Sequence, residues 1–470
     1  MGRSETHYCM YRFVLLLLIS LVLPAAAVPP NILFLFSDDQ RADTIAALGN
    51  VHVRTPSIDK LVARGTTFTR AYCMGSTQGA VCVPSRAMLM SGRTLWRIEE
   101  QLGRQPTWPE AFSASGYSTF ITGKWHNGRE SVRRIFQQGR AIFLGGMTDP
   151  YSALLQDFSA ARALENKRPA GEHCVKLFAD SAIGFLKAQP KEKPFLCYVS
   201  FNAPHDPKVA PKPFHEHWNA HKPPVPANFL PVHPFSNGEM RVRDEKLAPW
   251  PRTPEIVQQH LADYSAAIEY MDQQIGRILD GLKEAGHADN TIVVFTSDHG
   301  LAIGSHGLFG KQNLYDHSMR VPLVMAGPGV REGMKSDAMC YLLDIFPTLG
   351  EKCGIAPAQG SEGKSFDAVL AGRAEGHRTR VLTAYRQVQR AIRDDRWKLI
   401  LYPKINRMQL FDLKSDPWEM KDLAADPART AEVKRLTTLM EEEQALHGDR
   451  CALSSPNPEP AEFDYQKGGD

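Results

Sequence analysis

At 470 residues, 43% hydrophobic and 23% charged, the chain has the composition of a globular protein of two or three domains. That excludes a wholly disordered chain, a collagen-like chain and a multi-span membrane protein. A formal net charge of +3, from 55 Lys+Arg against 52 Asp+Glu, excludes bulk attraction to nucleic acid or to an anionic membrane as the main activity. A local cationic pocket for one small anion stays open.

The chain begins with Arg3 and Arg12 ahead of an apolar run, Phe13 to Leu23, broken only by Ser20. Pro24 then leads to Ala25-Ala26-Ala27. The run is too short for a spanning helix, which needs about 20 residues. The pattern predicts a cleaved signal peptide over 1–27 and an exported protein, periplasmic or secreted, with no membrane attachment after cleavage. Seven cysteines follow: Cys73, Cys82, Cys174, Cys197, Cys340, Cys353 and Cys451. They are too sparse for a disulfide scaffold, and their odd number leaves at least one without an intramolecular partner. None is spaced C-x-x-C.

Asn31 to Phe36 is a continuous apolar run, the pattern of a strand buried on both faces. Tyr117 to Thr122, Phe195 to Phe201 and Thr291 to Thr296 look alike, and Val321 to Met325 is a weaker fifth. The clearest helix pattern is Leu261, Tyr264, Ile268, Met271, Ile275, Ile278 and Leu282, with Gly286 as its stop. Strands alternating with helices predict an α/β fold with a large, mostly parallel sheet sandwiched by helices. Such sheets bind ligands beyond the carboxyl ends of their strands. Here those ends are unusually polar. They run into Asp38-Asp39, Gly123-Lys124-Trp125-His126, Asn202-Ala203-Pro204-His205 and Ser297-Asp298-His299. Four strands that deliver Asp, Lys or His to one edge predict one shared site.

Residues 204–254 hold twelve prolines and no clear periodicity, and are expected to form a structureless stretch that lines a site. Of its histidines only His205 follows a strand directly; His215, His217, His221 and His233 read as scattered loop residues. After about residue 375 short strands are expected at 381–385, 389–393, 397–402 and 408–413, then an amphipathic helix at 431–446. The chain is thus divided into a catalytic domain over 28–375, a C-terminal antiparallel-sheet-plus-helix α+β domain over 376–453 and a loosely ordered tail over 454–470.

The last motif is Cys82-Val83-Pro84-Ser85-Arg86, followed by Ala87-Met88-Leu89-Met90. Proline in a first helical turn puts Cys82 at a helix N-terminus, which favours a thiolate and attracts anions. Alone, this is a cysteine nucleophile or a structural helix cap. Read on to Met90-Ser91-Gly92-Arg93, it resembles the signature of the type I, formylglycine-dependent sulfatases of the alkaline-phosphatase-like superfamily, where Leu-Thr-Gly is usual in place of Met90-Ser91-Gly92. Within that family it resembles bacterial carbohydrate sulfatases and iduronate-2-sulfatase-like members. Asp38, Asp39 and Asp298-His299 resemble that family's metal-binding pairs. Lys124 and His126 resemble its Gly-Lys-x-His motif, His205 its isolated histidine, and Lys311 the lysine after the second metal pair.

The resemblance implies an alkaline-phosphatase-like fold and a sulfuric ester hydrolase acting on sulfated carbohydrate. It implies that Cys82 is oxidised to Cα-formylglycine by a formylglycine-generating enzyme during maturation, and that the hydrated aldehyde is the nucleophile. Asp38, Asp39, residue 82, Asp298 and His299 would hold Ca2+, or Mg2+ as the alternative; an oxygen-rich donor set suits such hard cations. Arg86, Lys124 and Lys311 would stabilise charge on the sulfate. His205, helped by Lys311, would protonate the leaving alcohol, and His126 would take the proton that releases sulfate. Candidates for specificity are Arg97, Glu99, residues 127–147 and 204–254, His306, Asn313, Tyr385, Arg386 and Arg390. Three alternatives stay open at this point: a phosphonate or phosphate ester hydrolase with the same nucleophile, a metal-free cysteine hydrolase, and a non-catalytic secreted glycan-binding protein.

Overall fold

The computed structural model describes residues 29–159 and 161–466. The predicted signal peptide, 1–27, lies outside them. The strands in chain order are β1 (Asn31–Ser37), β2 (Gly65–Tyr72), β3 (Gly75–Ser76), β4 (Ser118–Lys124), β5 (Gln138–Phe143), β6 (Leu154–Phe158), β7 (Glu165–Pro169), β8 (Phe195–Ser200), β9 (Thr291–Ser297), β10 (Arg320–Ala326), β11 (Met334–Ser336), β12 (Cys340–Tyr341), β13 (Val381–Tyr385), β14 (Gln389–Arg393), β15 (Trp397–Tyr402) and β16 (Arg407–Asp412). They form two sheets. The larger has the order β11-β2-β10-β9-β1-β8-β4-β5-β6-β7, with β12 also on β2. Its middle, β9-β1-β8-β4-β5, is parallel throughout.

β1 shows why its sequence is apolar without alternation. Ile32, Phe34 and Phe36 face one hydrophobic core with Met88 and Phe346, while Leu33 and Leu35 face a second with Ile58, Phe178, Met271 and Ile275. Helices cover both faces. Pro56–Arg64, Cys174–Ala188 and Pro254–Glu284 lie on one side; Cys82–Ser91 and Ile345–Lys352 lie on the other. A strand between two such layers buries every side chain, so only β-branched, aromatic and aliphatic residues fit it.

β10, the weaker fifth apolar run, is a strand of the large sheet and runs antiparallel to both β9 and β2. After β9 the chain stays at the carboxyl edge through residues 298–319 and makes no helical crossover, so it re-enters the sheet from the edge at which it left. The proline-rich 204–254 stretch is not structureless: Lys212–Ala220 is a helix with proline in its first turn. Trp218 and Phe214 dock it on the long Pro254–Glu284 helix, through Trp218 Nε1 to Glu269 at 2.8 Å and the Phe214–Tyr270 ring pair. The histidines of that short helix hide its apolar stripe from a periodicity reading.

The smaller sheet has the order β16-β15-β14-β13-β3. Its C-terminal strands are antiparallel, with the helix Thr430–His447 against one face. Its other face, including Val381, Tyr385, Ile400 and Phe411, joins the core of the larger sheet. Its fifth strand, β3, comes from the catalytic half and pairs in parallel with β13, Gly75 opposite Ala384 and Ser76 opposite Tyr385. The C-terminal sheet therefore holds the segment that leads to Cys82. Residues 454–466 have no regular structure; Phe463 stands edge-on to Trp250. No helix among the described residues is long and apolar enough to cross a membrane, and Cys73, Cys82, Cys174, Cys197, Cys340, Cys353 and Cys451 are all free thiols.

Candidate active site

Strand register brings the polar ends level. Phe36 of β1 pairs with Thr296 of β9 and Ser200 of β8, Ser37 pairs with Ser297, and Gly123 of β4 pairs with Ser200. Asp38, Asp298 and Lys124 thus leave the sheet at one height. Gly123 is required there. Its φ is +95°, and a Cβ would meet the Ser200 carbonyl oxygen at 1.8 Å. The bulge at Thr122–Gly123 turns Lys124 into the site.

The carboxylates sit at the bottom. Asp38, Asp39, Asp298 and His299 are all fully buried. Asp39 has φ +64°, and its backbone N–H donates to Asp298 Oδ1 at 3.0 Å, so the turn after β1 is closed by the acid after β9. Cys82 opens the helix Cys82–Ser91 above them. Its Sγ lies 3.1 Å from His299 Nε2, 3.3 Å from Lys311 Nζ and 3.8 Å from Asp39 Oδ1. Arg86, one turn on, donates from Nε to Asp298 Oδ2 at 3.1 Å and from one terminal nitrogen to Ser200 Oγ at 2.7 Å. Its other terminal nitrogen is 3.5 Å from Asp38 Oδ1. Lys124 Nζ donates to Asp38 Oδ2, and Lys311 Nζ straddles both oxygens of Asp39 at 2.9 and 3.0 Å. His205 Nε2 is 3.7 Å from Asp39 Oδ2, while its Nδ1 faces the Asp206 carbonyl oxygen at 2.8 Å. His126 is partly buried at φ +67°, with no hydrogen-bond partner for Nδ1. Every residue that the sequence assigns to catalysis or metal binding is drawn into this one cluster.

The electrostatics follow from burial and from three cations set against three acids. Burial raises the Asp38 carboxyl, but Lys124 and Arg86 outweigh it and hold the group below its usual range. Asp298 is likewise held low, against burial, by His299, Arg86 and Lys124. Asp39 ends well above its usual value, because burial, Cys82 and Asp38 exceed the help of Lys311 and His299. Burial also lowers His299, yet Asp298, Cys82 and Asp39 pull it up to about 10. His126 falls to about 3 through burial and the charges of Lys124 and Arg86. His205 falls well below 6.5 through burial and Lys311.

The donor set fits a divalent cation. Ligand atoms from Asp38, Cys82, Asp298 and His299 lie within 4.8 Å of one another, as do those from Asp38, Asp39, Cys82 and His205. Asp38 Oδ1 is buried without a hydrogen-bond partner. His299 Nδ1 faces the Gly300 carbonyl oxygen at 2.9 Å, which leaves Nε2 turned inward as the atom that would ligate a cation once its proton is displaced. His215, His217, His221 and His233 lie outside this cluster.

Several contributors escape a reading of the sequence. Ser200 anchors Arg86, and Ser297 Oγ accepts from the Gln40 N–H at 2.9 Å. Tyr264, which belongs to the apolar stripe of its helix, donates its hydroxyl to the Asp39 carbonyl oxygen at 2.6 Å and accepts from the Arg41 N–H at 2.9 Å. Serine directly after an apolar strand is the available signal for the first two; for Tyr264 there is none. Conversely, Arg390 is buried in an ion pair with Asp449 at 2.6 and 2.9 Å. His306 stacks on Tyr315 in the interior, Arg97 is engaged by Glu362, and Arg386 by Glu239. Arg390 and His306 are thus turned to interior partners, while Arg97 and Arg386 form ion pairs at the exposed surface.

A doubly covered α/β sheet with acids, cations and a cysteine in the first turn of a helix gathered at its carboxyl edge has the make-up of an ester-hydrolase site. The comparisons make the class specific. A model of the sulfatase family matches residues 30–355, and one for the C-terminal part of N-sulphoglucosamine sulphohydrolase matches 304–446. The chain belongs to the sulfatase family, and with it to the sulfuric ester hydrolases. It is 27% identical to an N-acetylglucosamine-6-O-sulfatase of Bacteroides thetaiotaomicron, over 89% of this chain and 87% of that one. It is 30% identical to iduronate 2-sulfatase of Mus musculus, over 69% of each. A solved structure in complex with its substrate D-glucosamine-2-N,6-O-disulfate shares the fold, with a TM-score of 0.76 and 24% identity over 90% of this chain and 99% of the other.

Proposed function

We propose that this exported protein hydrolyses sulfate esters on sulfated carbohydrate, with Cys82 matured to Cα-formylglycine by a formylglycine-generating enzyme and Ca2+ or Mg2+ held by Asp38, Asp39, residue 82, Asp298 and His299. The observation that carries this reading is Cys82 at a helix N-terminus, within 4 Å of Asp39, His299 and Lys311. When bound, the cation screens sulfate charge and acidifies a hydroxyl, and the hydrated aldehyde supplies that hydroxyl.

The protein's own groups do the rest. Arg86, Lys124 and Lys311 match the three acids charge for charge, so a bound dication leaves a net-positive pocket for a monoanionic ester. These cations are fixed before substrate arrives and need no reorganisation as charge moves to the leaving oxygen. His205 Nε2 faces the centre and, helped by Lys311, donates the proton that the leaving alcohol needs. His126 takes the proton whose loss frees sulfate, through a ring nitrogen with no other partner. The carbohydrate substrate is supported by the two relatives named above, and export by the apolar run Phe13 to Leu23 ahead of Ala25-Ala26-Ala27.

The test is the mass of the tryptic peptide that contains Cys82, from protein matured in its own host. The expected change is loss of hydrogen sulfide and gain of oxygen, together with faster hydrolysis of aryl sulfate than of aryl phosphate or phosphonate esters. An unmodified thiol in active protein, or a preference for the phosphorus esters, would refute the reading.

A further inference from the structure

His205 and Lys311 serve the leaving oxygen in the proposed reaction, and neither is held by its own segment alone. Both are reached from three consecutive residues of the proline-rich stretch, Arg243, Asp244 and Glu245, which open the short 3-10 turn Arg243–Leu247. Three residues per turn send successive side chains about 120° apart, so three neighbours in the chain address different places. Arg243 points at the His205 segment. Its two terminal nitrogens donate to Asp206 Oδ2 and Oδ1 at 2.5 and 3.1 Å, across 37 positions of chain. Asp206 in turn faces His205. Its carbonyl oxygen lies 2.8 Å from Nδ1, and its Oδ1 lies 3.3 Å from the same atom. A carbonyl oxygen only accepts, so Nδ1 carries a proton there. Nε2, 3.7 Å from Asp39 Oδ2, is then the nitrogen left to serve the substrate. The two-pronged grip of Arg243 fixes Asp206, and with it the angle of the ring.

Asp244 and Glu245 are buried and point at the Lys311 segment. Asp244 Oδ2 accepts from Gln312 Nε2 at 2.8 Å, and Gln312 Oε1 accepts from the Lys311 N–H at 3.0 Å. Glu245 accepts the N–H groups of Phe309 and Gly310, at 2.9 and 2.8 Å, and is paired with Arg252 at 2.8 Å. Gly310 shows how closely the two segments approach. A Cβ there would lie 2.4 Å from Gln312 Oε1, 2.9 Å from the Asp244 Cβ and 3.2 Å from Glu245 Oε1. The chain is thus fixed on both sides of Lys311, whose Nζ is delivered to Asp39 at 2.9 and 3.0 Å and to Cys82 Sγ at 3.3 Å.

We infer that Arg243, Asp244 and Glu245 are positioning residues for the leaving-group side of the site. Arg243 acts on His205 through Asp206, and the two acids act on Lys311 through its neighbours. The inference rests on the sulfatase reading and deepens it: one turn, remote in the chain from both groups, aligns the proton donor and the cation that helps it.

The experiment uses full-length matured protein and its Arg243→Met, Arg243→Lys and Glu245→Gln variants. The probes are 4-nitrophenyl, 3-nitrophenyl and phenyl sulfates, whose leaving oxygens are increasingly basic and so depend increasingly on a proton donor. For Arg243→Met, kcat should fall about threefold on 4-nitrophenyl sulfate and about 30-fold on phenyl sulfate, with KM nearly constant. Arg243→Lys should recover part of the loss, because an ammonium holds one carboxylate oxygen but not both. Glu245→Gln should show the same trend with leaving group. Its melting temperature should also fall, since Arg252 is left buried without its counter-charge. The half-exposed Arg243 is replaced with little change in stability, so its two variants decide the outcome if Glu245→Gln does not fold. Calorimetric affinity of the Arg243 variants for Ca2+ should match that of the wild type. A loss equal on all three esters, a change in KM alone, or weakened Ca2+ binding overturns the positioning role and leaves the sulfatase reading standing. A wild type that hydrolyses none of the three esters overturns both.

Discussion

Cys82 sits 3.1 Å from His299 Nε2 and 3.3 Å from Lys311 Nζ, so whatever oxygen replaces its sulfur begins next to the candidate metal-binding acids and a fixed cation. A serine at this position keeps one hydroxyl and lacks the second that would expel sulfate. Cys82→Ser should therefore release at most one equivalent of alcohol per enzyme, counted in the first burst. Sustained turnover would refute the need for a hydrated aldehyde. Arg86 is the other residue whose chemistry is set by shape. Its planar fork reaches Asp298, Ser200 and Asp38 together, and is buried doing so. Lysine has the charge but not the fork. Arg86→Lys should weaken divalent-cation binding about 10- to 100-fold in a calorimetric titration, because an outer partner of two ligands is lost. It should also cost about 1–3 kcal/mol of stability, since a single ammonium cannot replace all the hydrogen bonds that the guanidinium gives Asp298 and Ser200.

Among the elements, the helix Cys82–Ser91 must stop sharply for the signature to work. Gly92 ends it at φ +67°, with its N–H on the Met88 carbonyl at 2.8 Å. A Cβ there would fall 2.2 Å from Ser361 Oγ and 2.7 Å from Trp108 Nε1. Gly92→Ala combines left-handed strain with a clash against the buried Trp108, and should destabilise by about 2–4 kcal/mol in denaturant titrations. An effect under about 0.5 kcal/mol would show that the cap is not needed. The parallel strands are largely legible in the amino-acid order alone. Every apolar run that ends in Asp, Lys or His is one of them, and their shared edge is the candidate site, because a strand buried on both faces writes its environment into consecutive residues. β10 and the Lys212–Ala220 helix are not legible in that way. The direction of β10 is fixed by the path of the loop before it. The helix displays its apolar residues among histidines and prolines that a periodicity count scores as loop.

At the scale of the whole molecule the two sheets share a hydrophobic core and buried ion pairs, among them Asp316 with Lys398 and Asp344 with Arg378. Asp344 receives Arg378 at 2.5 and 2.6 Å and the backbone N–H groups of Tyr341 and Lys364 at 2.9 and 2.8 Å. It thus fastens the strand β12 region to the approach into β13. Burial opposes its ionisation, but Arg378 holds the carboxyl below its ordinary value of 3.8. A folded pKa below the unfolded one means stability that is full above about pH 4 and is lost as pH falls toward the folded value. Asp344→Asn should therefore cost about 3–5 kcal/mol near neutrality, and its melting temperature should converge on that of the wild type as pH drops below about 4. A gap that stays constant with pH would disprove the assignment. Chelation tests the other centre. The three acids already face three cations, so removing a divalent ion should abolish turnover yet leave a cooperative fold. The melting temperature should be only a few degrees lower, matching about 2–3 kcal/mol of ligand-linked stability near 100-fold saturation. Complete unfolding on chelation would mean the ion is structural.

The class of fold, the proposed nucleophile and the candidate metal-binding acids can all be read from residues adjacent in the chain. They are an apolar run ending in Asp38-Asp39, a helix opening at Cys82-Val83-Pro84-Ser85-Arg86, and a strand running into Asp298-His299. Local chemistry of that kind survives being read in one dimension. Which charges meet is a matter of long-range packing. Lys311 lies 272 positions from Asp39, Tyr264 reaches Asp39 from the apolar stripe of a helix, and β3 is two residues long and visible only through β13. Arg390 makes the same point: it is a basic residue on a segment expected to line the pocket, yet it is spent on Asp449. Coulomb partners are set by distance in space, and distance in space is fixed only when the packing of remote segments is complete.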